Sequence, residues 1–154
     1  MTGIAEEKLA KIREIEFSIN KHLFHICAII TLIAMVMVTI EFLTRGAFPP
    51  SRIGFLYIGI LFIYSVHKEM LRWLGEKKIE RQGEYFLYSW IALALVLYLV
   101  NFFTKDYFSC SAEGVKIGSL REVAEITLEV GAIFLITRLS KVVKIILEKN
   151  NKGR

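Results

Sequence analysis

The sequence has little of what most enzymes need at an active site. Asp106 is the only aspartate, which removes most schemes of metal-dependent phosphoryl transfer, because those schemes use acidic side chains to hold the metal. The chain also lacks a GxSxG nucleophile elbow, an HExxH zinc motif, a phosphate-binding loop and a dinucleotide fingerprint. We therefore expect a non-enzymatic protein with no cofactor.

Cysteine is also scarce. The chain has two, Cys27 and Cys110, too few for a disulfide framework. Cys27 falls at one end of an apolar segment and Cys110 in a loop expected at the opposite side of the membrane. We expect both thiols to stay unpaired within the chain, since a disulfide needs Cα atoms within about 7 Å.

Apolar residues, in contrast, are abundant. Hydrophobic side chains make up 55% of the chain, and the mean hydropathy is +0.49, whereas soluble domains usually contain ~45–50% apolar residues. A helix needs ~20 apolar residues to cross a ~30 Å hydrocarbon core. Four segments approach that length, which predicts an all-α, four-helix transmembrane bundle in a single domain: 22–44, 53–75, 84–104 and 120–147.

The segments outside the predicted spans are short and charged. Residues 1–21 are typical of a cytoplasmic amphipathic helix, with apolar side chains at three- and four-residue steps, and residues 148–154 are expected to form a cytoplasmic tail. Gly46, Pro49 and Pro50 are expected to stop the first span. The loop 104–119 is the longest on its side and has room for a small structured element.

Positive charge is distributed unevenly among these connections. Of the 20 Lys and Arg residues, 15 lie before the first span, around the connection between the second and third, or from Arg138 onwards. Short cytoplasmic loops retain positive charge, so both termini are predicted to be cytoplasmic. The net charge of +5 favours anionic lipids as partners. Nucleic acid is excluded as a partner because the sequence has no large basic surface.

The fourth segment is unusual because it carries ionisable residues at membrane depth. Only eight uncharged residues, ~12 Å of helix, separate Glu129 from Arg138. Glu125, Glu129 and Arg138 therefore fall at least partly within hydrocarbon depth, where an ionisable group suggests a site that faces the bundle interior. Tyr64 is the expected hydrogen-bond partner of Glu129. The pattern fits either a proton or cation site or a buried polar anchor.

Two further predictions concern the cytoplasmic side. The short connection between the second and third spans predicts that these helices form an antiparallel hairpin. Arg138 is expected to form an ion pair with Glu69 or Glu84, since pairing offsets part of the cost of burying its charge. Aromatic residues near both ends of the third span, including Tyr85, Trp90 and Phe103, are typical of interfacial belts.

Three histidines are expected near this same side. His22 and His25 share a helix face, and His67 ends the neighbouring span. Imidazoles can ligate transition metals or haem iron, so these residues are candidate metal ligands. Interfacial histidines without a ligand explain the same pattern.

The leading functional hypothesis is a small polytopic membrane protein that acts as an accessory or assembly subunit through its helix surfaces and basic cytoplasmic segments. The alternative is a small oligomeric channel or a proton or cation carrier that uses Glu129. A third hypothesis is a membrane metal or haem redox protein. The expected partners are the bilayer and either further copies of the chain or a larger membrane complex.

Overall fold

The computed structural model describes residues 2–48, 53–74, 83–111 and 113–152. Its long helices are α1 (Thr2–Leu43), α2 (Ile53–Trp73), α3 (Gly83–Phe103) and α4 (Ser119–Lys152). A one-turn 3-10 helix, Tyr107–Ser109, lies between α3 and α4. The predicted all-α helical bundle is confirmed. Pro49, Pro50 and the connection 75–82 lie outside the described residues.

Three helices are long and apolar enough to cross a membrane: Glu14–Leu43 within α1, the whole of α2 and the whole of α3. Their apolar side chains remain largely uncovered, for example Leu32 (65% exposed), Phe55 (87%) and Phe102 (75%). Water-soluble proteins rarely expose apolar patches on this scale. The helices therefore indicate a membrane protein. α4 does not belong to this set, because charged side chains such as Glu129 and Arg138 interrupt its apolar sequence.

The predicted N-terminal helix is not a separate element. Residues 2–21 continue without a break into the rest of α1, which has 42 residues and is ~63 Å long. Ile12, Ile15 and Ile19 are all exposed, so the rest of the chain leaves this apolar face uncovered. α1 ends where Gly46 adopts a left-handed conformation (φ 78°) and donates its N–H to the Glu41 carbonyl at 2.9 Å, as glycine commonly does after a helix.

The helices are arranged so that α1 and α4 each pack against both α2 and α3. α1 and α4 also pack against each other, whereas α2 and α3 lie diagonally across the bundle. The predicted α2–α3 hairpin therefore lacks close backbone packing, and its two helices meet through their side chains. The short connection does limit how far apart the two helix ends can be, but it does not make the helices neighbours along their length.

Aromatic rings fill the space between the diagonal helices. Tyr57 of α2 packs against Trp90 of α3 with ring centroids 5.5 Å apart, and Tyr64 packs against Phe86 at 6.1 Å. All four side chains are at most 5% exposed. Helices that are too far apart for aliphatic contact need large side chains between them, and aromatic residues provide that volume. Trp90 is thus a core residue and not part of an interfacial belt.

The loop after α3 folds into a compact cap over the end of the bundle where α1 stops. Arg45 donates to the carbonyl of Cys110 at 2.8 Å and to that of Ser111 at 2.6 Å, and its guanidinium lies 4.3 Å from the centre of the Tyr107 ring. An isolated bridge pairs Cys110 with Lys116. The described part of this loop therefore holds a small structured element, for which the sequence has room. We call this end of the bundle the cap end, and the opposite end, where α2 stops and α3 starts, the charged end.

Candidate functional site

The exposed side of α4 carries a regular stripe of side chains. Successive members are spaced alternately by four and three residues, the spacing of a seam along which two helices pack, and every member is exposed. We call this stripe the outward face of α4: Arg121, Glu125, Leu128, Ala132, Leu135, Leu139, Val142 and Ile146. Leu128 is 73% exposed and Leu135 is 62% exposed. The stripe is apolar from Leu128 onwards.

Glu129 lies beside this outward face and points away from the bundle. Its neighbour Gly131 faces α3, because a Cβ added there would lie 3.7 Å from Leu87. Side chains two positions apart in an α-helix point ~200° away from each other. Glu129 therefore points away from α3, and its side chain is exposed. Glu129 forms no hydrogen bond or ion pair with any described residue.

The predicted bond between Glu129 and Tyr64 is absent. Tyr64 is 1% exposed, and its hydroxyl is buried without a hydrogen-bond partner. Its ring contacts Phe24 and Phe86. The prediction assumed that an ionisable residue turns towards the interior of its own bundle, but Glu129 is exposed and Tyr64 is packed among aromatic rings.

The other two residues of the predicted site lie 13 residues apart on α4. Glu125 accepts a bond from Arg121 at 2.7 Å, and both side chains are exposed. Arg138 forms an ion pair with Glu84, which confirms one of its two predicted partners. Glu69 instead pairs with Arg72. Glu125, Glu129, Tyr64 and Arg138 therefore do not form one site.

The Arg138–Glu84 pair fixes the level of α4 relative to α3. Glu84 is in the first turn of α3. Glu129 precedes Arg138 by nine residues, or ~13.5 Å of helix. This distance is about half of a ~30 Å hydrocarbon core. At the charged end, Trp73 donates to the Ser140 hydroxyl at 3.1 Å, which fixes the level of α4 against α2 as well.

Lys68 is a functional candidate that sequence reasoning missed. It is only 8% exposed, although it is a lysine near the end of an apolar helix. Its Nζ lies 5.6 Å from the centre of the Tyr64 ring, and a Cβ added to Gly83 at the start of α3 would be 3.6 Å from it. In the sequence, Lys68 looks like a lysine whose side chain extends to the membrane surface. No local pattern distinguishes such a lysine from a buried one.

A second missed feature is a pair of carboxylates near the cap end. Glu41 of α1 is 7% exposed, and its Oε2 is buried without a hydrogen-bond partner. The carboxylate of Glu122 lies close enough to repel it. Glu122 in turn approaches α2, with Oε1 3.4 Å from where a Cβ on Gly54 would lie. The two residues are 81 positions apart in the chain, so sequence spacing could not pair them.

The histidines do not come together. Nδ1 of His22 lies 2.8 Å from the Ser18 carbonyl oxygen, and Nδ1 of His25 lies 2.7 Å from that of Lys21. His67 faces Glu16, with Nε2 3.6 Å from the carboxylate. Within the described residues, no three His, Cys, Asp or Glu side chains are grouped to hold a metal ion. The geometry thus gives His22, His25 and His67 no shared ligand position.

No family model, curated protein or solved structure matches the chain, so comparison with known proteins does not indicate a function. The functional argument depends on the residues described above.

Proposed function

We propose that this chain is a non-enzymatic membrane subunit that binds another membrane protein through the outward face of α4. In this proposal all four helices cross the bilayer, and both termini are cytoplasmic. Two observations support this topology. In the sequence, 15 of the 20 Lys and Arg residues lie before the first span, around the connection between the second and third, or from Arg138 onwards, and α4 packs alongside both α2 and α3.

The observation that carries the proposal is the direction of Glu129. A carboxylate at the middle of a bilayer costs a few kcal/mol if it faces lipid, so such residues almost always face protein or a water-filled cavity. Glu129 is exposed and its own chain provides no partner within the described residues. A hydrogen-bond donor or cation on a neighbouring protein would satisfy it. The apolar stripe beside it has the spacing for helix packing.

A partner of different sequence fits this face better than a second copy. Two parallel copies that met along their outward faces would bring Glu129 towards the Glu129 of the other copy, and two carboxylates at one level repel each other. Arg121, the basic residue of the outward face, is eight residues from Glu129, ~12 Å along the helix. The proposed partner therefore presents a donor such as an amide, hydroxyl, histidine or basic side chain at the level of Glu129.

Photocrosslinking tests this proposal. A photoreactive amino acid at Leu135 should yield a discrete crosslinked product in native membranes, whereas the same amino acid at Ile63 of α2 should not. These two positions are a matched pair, since Leu135 is 62% exposed and Ile63 is 59% exposed. Glu129→Leu should reduce the Leu135 product at least tenfold, and Glu129→Gln should reduce it less, because an amide still forms hydrogen bonds. Equal products from both positions, or a Leu135 product that is indifferent to Glu129→Leu, would contradict the proposal.

The same observation favours a second candidate, a small oligomeric channel or a proton or cation carrier. In a ring of copies, the outward Glu129 side chains would line a central axis at mid-depth, where rings of acidic residues select cations. Ion flux across reconstituted liposomes separates the two candidates. A channel or carrier would conduct, and Glu129→Gln would abolish the flux while leaving the oligomer intact. A non-enzymatic subunit that binds another membrane protein would show no ion flux with or without the substitution.

A further inference from the structure

Lys68 is a buried cation to which the described chain gives no hydrogen bond and no ion pair. It is 8% exposed, and its contact is with the face of the Tyr64 ring at 5.6 Å. A cation–π contact recovers only part of the free energy that is lost when an ion is buried. The structure therefore contains a desolvated ammonium whose charge is not balanced.

The surroundings of Lys68 add positive potential. Arg72 and Arg138 act on it as like charges, and Glu69 acts on it as an opposite charge. The start of α3 is also close, since Lys68 Nζ is 3.6 Å from where a Cβ on Gly83 would be. The N-terminus of a helix carries about half a positive charge and attracts anions. Lys68 thus faces the positive end of a 21-residue helix.

The nearby carboxylates offset this charge only in part, because Glu69, which acts on Lys68 as an opposite charge, also pairs with an arginine, as does Glu84. Glu69 pairs with Arg72, and Glu84 pairs with Arg138. After both pairs are counted, the positive charge of Lys68 remains, together with the partial charge of the α3 N-terminus. A singly charged anion beside Lys68 would balance its charge. A phosphodiester has this charge and provides several acceptor oxygens for an ammonium, a guanidinium and backbone N–H groups.

We propose that Lys68 and the start of α3 form a binding site for a phosphate group, with Arg138 at its edge. The most suitable source is the headgroup of an anionic lipid, because the site lies at the charged end of the apolar helices, where headgroups meet the protein. Basic pockets between transmembrane helices on the cytoplasmic side bind such headgroups. This inference uses the membrane placement of the proposed function but not the α4 partner.

Lipid binding to the purified full-length chain tests the site. In mild detergent, native mass spectrometry should detect one tightly bound phosphatidylglycerol per chain and no comparable binding of phosphatidylcholine. Lys68→Met keeps the length of the side chain and removes its charge, and it should weaken phosphatidylglycerol binding at least tenfold. Lys149→Met removes the same charge from an exposed position on α4 and should leave the affinity unchanged.

Thermal unfolding gives a second readout and identifies the source of the phosphate. Phosphatidylglycerol should raise the Tm of the unmutated protein and not that of Lys68→Met, nor of Lys68→Gln if the methionine variant does not fold. An equal rise with inorganic phosphate, relative to chloride at the same ionic strength, would assign the site to free phosphate. The site is disproved if phosphatidylglycerol binds Lys68→Met and the unmutated protein equally, or if neither phosphate source raises the Tm. These results do not depend on crosslinking at Leu135, so the two proposals can fail separately.

Discussion

Arg138 and Glu84 form the ion pair that joins α3 to α4 within the described residues. Their side chains are 38% and 20% exposed, so each charge is partly removed from solvent. A second pair on α4, Arg121 and Glu125, has exposures of 83% and 54%. The two pairs share their chemistry and differ in burial, which makes the second a natural control for the first.

Arg138→Leu should destabilise the bundle, because it leaves Glu84 partly buried without a partner. We expect a loss of about 1–3 kcal/mol, less than the ~3–5 kcal/mol typical of a fully buried pair, and a large part should be recovered when Glu84→Gln is added. The measurement is a double-mutant cycle on the free energy of unfolding in detergent. The same cycle for Arg121 and Glu125 should give much weaker coupling, because solvent screens both side chains. Equal coupling energies in the two cycles would mean that burial does not govern the Arg138 pair.

The α3–α4 loop is the element whose structure depends most on one distant side chain. Arg45 comes from the turn after α1, yet it binds two successive carbonyls of this loop. Ile117 of the same loop packs against Gly46, where an added Cβ would be 3.4 Å away. The cap thus ties the end of α1 to the connection that precedes α4.

Arg45→Ala should therefore open the cap without unfolding the helices. The native thiol of Cys110 is partly exposed and Cys27 is fully buried, so the rate at which a membrane-impermeant maleimide modifies Cys110 reports on the cap. We expect this rate to rise about tenfold, since both bonds to the loop carbonyls are lost. Lys116→Ala removes a positive charge from the same loop, and a comparable increase for that variant would show that charge, not the Arg45 bonds, sets the rate.

The sequence was sufficient to predict the helices of this fold but not the faces that they turn towards each other. Long apolar runs and Gly46 indicated where helices form and where α1 ends, because these are local properties. In a membrane helix, however, the lipid-facing side and the packed side are both apolar, so periodicity does not separate them. Trp90 in the core and Tyr85 on the surface (68% exposed) are both aromatic residues of one apolar helix. For the same reason, the sequence did not indicate that Glu129 points away from the bundle.

At the scale of the whole molecule, the distribution of charge predicts how the bundle is threaded through the membrane. In a chain with Cys110→Ser, single cysteines at Lys78 and Lys149 should be protected from an impermeant thiol reagent in intact cells, because both belong to the positively charged side. The native Cys110 should be labelled under the same conditions. The measurement is the labelled fraction before and after the cells are opened. Labelling of the Lys149 position in intact cells would show that the orientation of α4 is opposite to the predicted one.

The diagonal placement of α2 and α3 has a consequence for biogenesis. α1 and α4 are the helices that pack against both, and α4 is the last to be synthesised. When α3 leaves the ribosome, α1 and the aromatic contacts between α2 and α3 can hold these two helices together. The side of each that packs against α4 is still uncovered. Buried positions such as Val123, Ile126 and Val130 belong to α4 and are synthesised only afterwards. The bundle therefore closes after translation of its final helix, and any chain that stops before α4 exposes the contact surfaces of α2 and α3 to whatever else is in the membrane.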